Sequence, residues 1–340
     1  MLLEGFRMIN ENNNLPSDKK RKHIIKIKTK TNSNYGKKPV NRSVEELLSN
    51  GFINLDKPKG PTSHQVDSWI REILGVKKVG HGGTLDPNAT GVLPIGIGNA
   101  TNALQFLLLA GKEYVGIMRL HKDVDKKKVI ETCKVFVGQV SQMPPIRSAV
   151  KRMKRKRLIY YFNVIQIKNR DVLFRVGCES GTYVRTLCVD IGKKLKSGAH
   201  LAELRRTRVG RLFEKDAVNL QDLKDAFIFW KEEKNEEYIR KTVLPIEFMF
   251  DHMPKFVIRD SAVNALCNGA ELAVPGIVEI DSDIEKGNTV AIFTLKGEIV
   301  AIAKSSMSTE EIIQKNKGIC AKIERVFMKR DTYPSTWKKS

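Results

Sequence analysis

The sequence predicts an α+β protein of two domains, and three observations carry that prediction. At 340 residues the chain is long enough to bury two cores. Between residues 43 and 251, short apolar strands and amphipathic helices follow one another irregularly. After about residue 252 the texture changes to strands and turns. Residues 290–295 and 298–303, joined through Lys296-Gly297, read as a β-hairpin. The expected division is an N-terminal extension (1–42), a larger mixed domain (43–251), a small β-rich domain (252–331) and a short tail (332–340).

The extension is polar, with Asn10-Glu11-Asn12-Asn13-Asn14 and the cluster Lys19-Lys20-Arg21-Lys22. It cannot bury enough apolar surface to fold alone, and its first 20 or so residues read as a solvated basic tail. The stretch from His23 to Lys28 alternates like a strand, so part of the extension is expected to pair with a folded domain. Ser43-Val44-Glu45-Glu46 predicts a capped short helix. Residues 52–55 predict a strand, ended by the stiff loop Asp56-Lys57-Pro58-Lys59-Gly60-Pro61. Thr62 or Ser63 caps a helix whose apolar positions are Val66, Trp69, Ile70, Ile73 and Leu74, and Gly75 closes it.

A second helix is expected from Ala103 to Leu109, a strand over 112–118, a helix over 128–137 and strands over 160–167 and 172–178. Ahead of the strand at 160 lies Lys151-Arg152-Met153-Lys154-Arg155-Lys156-Arg157, where all but Met153 are cationic. That density reads as a loop laid on phosphates. Residues 181–187 bend into a helix through Ile191 and Leu195, and residues 199–208 are again basic. Residues 220–240 read as helical, packed through Phe227, Phe229 and Trp230.

The net charge of +22 points to a polyanionic partner, with nucleic acid favoured over a membrane surface. No apolar run approaches the roughly 20 residues that span a bilayer. The N-terminus lacks the features of a signal peptide. Five cysteines are scattered without a C-x-x-C pair, and six histidines without an H-x-x-x-H pair. No disulfide framework, metal or cofactor is therefore expected, and the chain reads as a reduced cytoplasmic protein.

The segment around which the chain is organised is Gly80-His81-Gly82-Gly83-Thr84-Leu85-Asp86-Pro87, running on to Gly91. Its glycines permit a tight bend and a close approach, and Asp86 stands as a lone carboxylate before a proline. An acid closing an Asx-type turn is the plainer reading of the same residues.

Together with residues 51–58 (Gly-Phe-Ile-Asn-Leu-Asp-Lys-Pro) and residues 181–187 (Gly-Thr-Tyr-Val-Arg-Thr-Leu), this segment resembles the signature blocks of the TruB family of pseudouridine synthases. Residues 260–263 through Gly269-Ala270 to Gly276 resemble a PUA domain, a small RNA-binding barrel. Residues 34–45 resemble the extension of dyskerin-type members, which packs on that domain. The resemblance covers nearly everything after residue 43. It implies a central, mostly antiparallel sheet flanked by helices, and an isomerase that detaches uracil from ribose, rotates it and rejoins it through carbon.

The family's nucleophile falls on Asp86; attack on the base and attack on the sugar both fit the motif. Tyr114 matches the aromatic that stacks on the flipped base, and Arg185 the counter-charge of the acid. Tyr183 and Leu204 match pocket-lining positions. His81 falls where displaced RNA or a structural hydrogen bond would engage it. Lys57 and Pro58 shape the pocket floor, and Lys151 contacts phosphate. Arg152, Lys154, Arg155, Arg205, Arg206, Gly269 and Ala270 are the remaining expected RNA contacts. The glycines of the central segment then read as clearance for an RNA strand.

Two functions within this chemistry are implied: catalytic subunit of a box H/ACA guide-RNA particle acting on ribosomal RNA, with small companion proteins, and direct action on the T-loop uridine of transfer RNA. The contrasting possibility is a non-catalytic RNA-binding scaffold. The set Asp86, Tyr114 and Arg185 weighs against it, since binding alone needs no carboxylate in a cationic groove. The chain ends at Ser340, soon after the PUA-like segment and without a lysine-rich tail, which fits a prokaryotic cytoplasm.

Overall fold

Thr62 begins the helix that orders the first half of the larger unit. In the computed structural model, which describes residues 14–143 and 153–335, its hydroxyl accepts from Gln65 N at 3.1 Å while Gln65 Oε1 accepts from Thr62 N at 2.7 Å. This reciprocal capping box starts α2 (Ser63–Leu74), and Gly75 ends it at φ 60°. Val66, Ile70 and Leu74 are buried, as their spacing predicts, whereas Trp69 is 43% exposed. Ser43 and Glu46 make the same box at α1 (Val44–Asn50).

Elements are numbered along the chain, which divides into two units. Of the described residues, the first holds 14–19, 53–97, 101–143 and 153–242. Its strands are β2 (Gly51–Lys57, in this unit from Ile53 on), β3 (Val79–His81), β4 (Thr90–Ile97), β5 (Lys112–Leu120), β6 (Gly138–Gln142), β7 (Arg155–Lys168), β8 (Asp171–Cys178), β9 (Ala199–Val209) and β10 (Leu212–Phe213). The sheet runs β2-β4-β9-β5-β8-β7-β6, with β3 on β4 and β10 on β9. Antiparallel pairing joins β9, β5, β8, β7 and β6 in turn, while β4 and β9 meet in parallel at Thr90↔Arg205 and Gly91↔Arg206. Helices α3 (Lys126–Val135) and α4 (Val184–Lys194) belong to the same unit, and one core joins residues of both to Met118, Phe162, Phe174 and Val176 of the sheet. Two further helices, α5 (Leu220–Glu233) and α6 (Glu237–Thr242), close the unit.

Three expectations change here. The helix expected from Ala103 to Leu109 is a 3₁₀ helix and starts earlier, spanning Gly98–Ala110. The basic run before residue 160 is not wholly a loop: Arg155, Lys156 and Arg157 open β7 and pair with Gln142, Ser141 and Val140. Lys151 and Arg152 lie outside the described residues. The extension is bound sooner than its composition suggests. Leu15 and Ser17 are 2% and 1% exposed. Arg208 donates to Ser17 and Asp18, and Arg211 Nε donates to Ser17 O at 3.0 Å.

The second unit takes residues 20–52, 98–100 and 243–335. Its strands are β1 (His23–Ile25), β11 (Leu244–Pro245), β12 (Lys255–Ile258), β13 (Leu272–Ala273), β14 (Ile277–Asp281), β15 (Thr289–Thr294), β16 (Ile299–Ser305) and β17 (Ile319–Val326). Seven of them form a sheet in the order β1-β14-β12-β15-β16-β17-β13, while β11 pairs with Gly51 and Phe52. The hairpin read from the sequence is β15–β16, and the alternating stretch of the extension is β1, antiparallel to β14. Helices α7 (Asp260–Cys267) and α8 (Thr309–Gln314) complete the unit, and its core gathers Phe256, Leu266, Ile292, Ile312 and Tyr333.

Candidate active site

The glycine-rich segment forms β3 and the turn that carries the chain into β4. His81 pairs with Ile95, and Gly82 N donates to Pro94 O at 2.8 Å. Two glycines are required where the turn meets the sheet. Gly83 has φ 104°, and a Cβ there would lie 3.2 Å from Lys112 Nζ. Gly91 has φ 99°, and a Cβ there would lie 2.2 Å from the Arg206 carbonyl oxygen. Both positions are glycine because they need a positive φ, and at Gly91 an added Cβ would also overlap the Arg206 backbone.

The turn is held from below. Lys57, fully buried, donates to the carbonyls of Pro58, Pro87 and Ala89 at 2.8, 3.3 and 3.0 Å. Burial lowers its pKa, with the Arg206 charge acting in the same direction. Ser63 Oγ donates to Leu85 O at 3.1 Å and accepts from Leu85 N at 3.0 Å. Leu85 itself is 3% exposed and anchors the turn in the core. With its neighbours fastened, Asp86 projects with 56% of its side chain exposed and takes the Arg185 guanidinium as partner.

Arg185 stands on the first turn of α4, whose start is fixed from β6. Gln142 Oε1 accepts from Tyr183 N at 3.0 Å, and Gln142 Nε2 donates to Tyr183 O at 3.2 Å. Tyr114 lies on β5 between Val176 and Arg206 and is 8% exposed. Burial raises its phenol pKa, and the Arg206 charge beside it pulls the other way. Leu204 is half-buried on β9 opposite Gly116, where its Cδ1 would sit 3.2 Å from an added Cβ.

The structure thus pairs Asp86 with Arg185, sets Tyr183 two residues ahead of Arg185, and places Tyr114 and Leu204 on the paired strands β5 and β9. Other expected contacts are committed elsewhere. Lys57 braces the turn, and its ammonium protons already serve three carbonyls, so it is not a substrate contact. Arg206 is 1% exposed, with Nε on Val92 O at 2.6 Å and NH2 on Gly83 O at 2.9 Å, so it is a strut and not an RNA contact. Arg205 grips Asp56 with two bonds, at 3.0 and 2.8 Å, and Glu214 with one at 2.6 Å, which raises its pKa. His81 has both ring nitrogens engaged, by Asp67 at 2.7 Å and Thr84 at 3.1 Å. Lys154 is exposed and Arg155 half-buried, while Gly269 and Ala270 form an exposed turn after α7.

Two residues escaped the sequence reading. Gln142, 2% exposed, sits at the end of β6 and orients the start of α4. Lys112, 4% exposed, donates from Nζ to Ser180 Oγ at 2.7 Å under Gly83. Burial and the nearby Arg206 charge push its pKa down to about 7. A lysine opening an alternating strand, where position 112 falls on the inward side with Tyr114, was the one available signal.

Family models match this architecture along the chain. The TruB family pseudouridylate synthase N-terminal domain matches residues 71–184, and the tRNA pseudouridylate synthase B C-terminal domain matches residues 185–251. The PUA domain matches residues 254–327 and the DKCLD domain residues 12–67. The probable tRNA pseudouridine synthase B of Methanosarcina barkeri is 50% identical over 96% of both chains. That of Nanoarchaeum equitans is 54% identical over 92% of this chain and 90% of its own. Among solved structures, a chain of a Cbf5–Nop10–Gar1 complex superposes with TM-score 0.89 at 51% identity, covering 94% of this chain and 98% of that one. A chain from an H/ACA ribonucleoprotein bound to a substrate RNA containing 2′-deoxyuridine gives TM-score 0.89 at 49% identity, covering 95% and 99%.

Proposed function

This chain belongs to the TruB family of pseudouridine synthases, and from that premise we propose that Asp86 is the nucleophile with which it isomerises uridine in RNA. The carrying observation is the exposed Asp86–Arg185 pair on a turn whose backbone is held at Leu85, Pro87 and Ala89. A rigid support places a reactive carboxylate without spending binding free energy on ordering it.

The reaction breaks the bond between ribose C1′ and uracil N1 and forms one from C1′ to C5. The C5 proton is lost and N1 ends protonated, so the conversion needs no oxidant and no added water. Asp86 attacks either C1′ or the base, and the resulting adduct holds one fragment while the uracil turns. Arg185 meets the carboxylate charge before attack. Tyr114 offers its ring to the uracil once the nucleotide has left its stack. Tyr183 and Leu204 line the pocket, and Lys154, Arg155, Gly269 and Ala270 contact RNA outside it.

The chain acts, in this reading, as catalytic subunit of a box H/ACA particle, in the cytoplasm, with guide RNA and small companion proteins. Two observations favour this over unaided action on transfer RNA. The extension is built into the second unit through β1, and chains from H/ACA assemblies match over nearly their whole length. The test compares wild type with Asp86→Asn on a T-loop transcript and on a guide-paired target, with and without companion proteins. Wild type should form pseudouridine on the guided target and Asp86→Asn on neither, while RNA affinity stays unchanged. Comparable turnover by the variant would remove Asp86 from the reaction. Full activity on the transcript alone, with none on the guided target, would reverse the choice of substrate.

A further inference from the structure

Three side chains from two elements converge beside the catalytic turn. His64 and Asp67 stand one helical turn apart on α2, and His81 ends β3. One ligand-type atom of each lies within 4.8 Å of the other two. His81 Nδ1 is 2.7 Å from Asp67 Oδ2, and His64 Nδ1 is 3.8 Å from Asp67 Oδ2. The two imidazoles meet edge-on, with centroids 4.9 Å apart. Asp67 Oδ1 is buried without a hydrogen-bond partner. Such an oxygen is normally satisfied, and an ion or water is the usual reason when protein atoms do not do it. The Asp67 side chain is 13% exposed, whereas that of His64 is 84% exposed and reachable from solvent.

We propose that His64, Asp67 and His81 bind a divalent transition-metal ion of the zinc type. Two imidazole nitrogens and one carboxylate suit that class of ion, and three protein ligands leave a fourth position for water. Donors bonded at about 2.1 Å to one tetrahedral ion lie about 3.4 Å from each other. The two separations from Asp67 Oδ2, 2.7 and 3.8 Å, straddle that value, and no two of the three ligand atoms are more than 4.8 Å apart.

An outer contact is also in place. His81 Nε2 is 3.1 Å from Thr84 Oγ1. With no ion, the neutral ring donates from Nδ1 to Asp67 and accepts at Nε2 from the Thr84 hydroxyl. With an ion on Nδ1, the same single ring proton resides on Nε2 and the Thr84 hydroxyl accepts it, as outer-shell partners of metal-bound histidines do. The ion thereby links α2 to the turn two residues ahead of Asp86. Chain spacing hides the set, because the histidines are separated by β3 and the end of α2 and form no H-x-x-x-H pair.

The full chain, freed of ions with a chelator, is titrated with Co²⁺, reading the visible absorption of the tetrahedral ion, and then challenged with Zn²⁺. A single saturable site displaced by Zn²⁺ is expected. His64→Ala and Asp67→Asn should each weaken it by about tenfold or more. His64 is a solvent-facing residue, so its variant tests the ligand without threatening the fold. The competing imidazole pair is His121 with His200, whose ring nitrogens are 3.0 Å apart, and His200→Ala should leave affinity unchanged. Unaltered binding in His64→Ala, loss in His200→Ala, or no saturable binding by the intact chain overturns the proposal.

Discussion

Two carboxylate–guanidinium pairs, one in each unit, use the same chemistry in opposite settings. Asp86 and Arg185 meet on the surface of the first unit with 56% and 52% of their side chains exposed. Glu247 and Arg42 meet in the second unit at 10% and 15%, through two parallel bonds of 2.7 Å each. Glu247 also accepts from Ile299 N at 3.0 Å. An exposed pair contributes about 0–1 kcal/mol to stability, because water and salt screen it. Breaking a buried pair costs about 3–5 kcal/mol, because the orphaned charge stays in low dielectric. The exposed pair is thus free to serve chemistry, and the buried one fastens the N-terminal extension within its unit.

Four substitutions sharpen that contrast, from the largest effect to the smallest. Asp86→Asn should cut pseudouridine formation by at least about 10³-fold if the proposed nucleophile is right, since an amide cannot replace an attacking carboxylate. Its unfolding free energy should stay within about 0.5 kcal/mol of wild type, because the pair is exposed. Denaturant melts showing a larger loss would make Asp86 structural. Arg42→Ala should do the reverse, destabilising the second unit by about 3–5 kcal/mol. A shift below about 1 kcal/mol would sink the idea of a buried clasp.

Lys112 separates the regions by pH. Its folded pKa of about 7 lies below the ordinary value of 10.5. Between those limits the unfolded chain binds a proton that the folded chain does not, so stability rises with pH across the window. It falls again as pH drops toward 7, and below that both states are protonated and the slope ends. With one pKa unit worth about 1.4 kcal/mol, the span is on the order of a few kcal/mol. Lys112→Met should flatten the stability profile over that window, and an unchanged slope would show that Lys112 is charged in the fold. The smallest effect is Tyr333→Phe. The Tyr333 hydroxyl donates to Glu298 Oε2 at 2.6 Å, and Thr294 Oγ1 donates to that same oxygen at 3.0 Å. Loss of the first bond should cost about 1.5 kcal/mol by calorimetry, with turnover unaffected.

Much of the fold was legible locally. The capping boxes at Ser43 and Thr62, the stop at Gly75 and the hairpin around Gly297 each depend on a few adjacent residues. Part of the site was legible too, but only through resemblance, because Asp86 and Arg185 are 99 residues apart. Pattern alone misjudged the cations. Arg206 and Arg205 sit in a basic run that reads as a nucleic-acid surface, yet β9 is an inner strand of its sheet, so one is buried and the other is paired.

By itself, then, the sequence determined most of the element types, the polyanionic partner implied by its charge, and the turn that carries Asp86. Tertiary structure alone decided which cations are spent inside the protein, why Gly91 cannot carry a Cβ, and that His64, Asp67 and His81 meet. The physical reason is range. Caps, turns and periodicity act between residues a few positions apart, whereas burial and charge pairing are set by strands and helices brought together from distant parts of the chain.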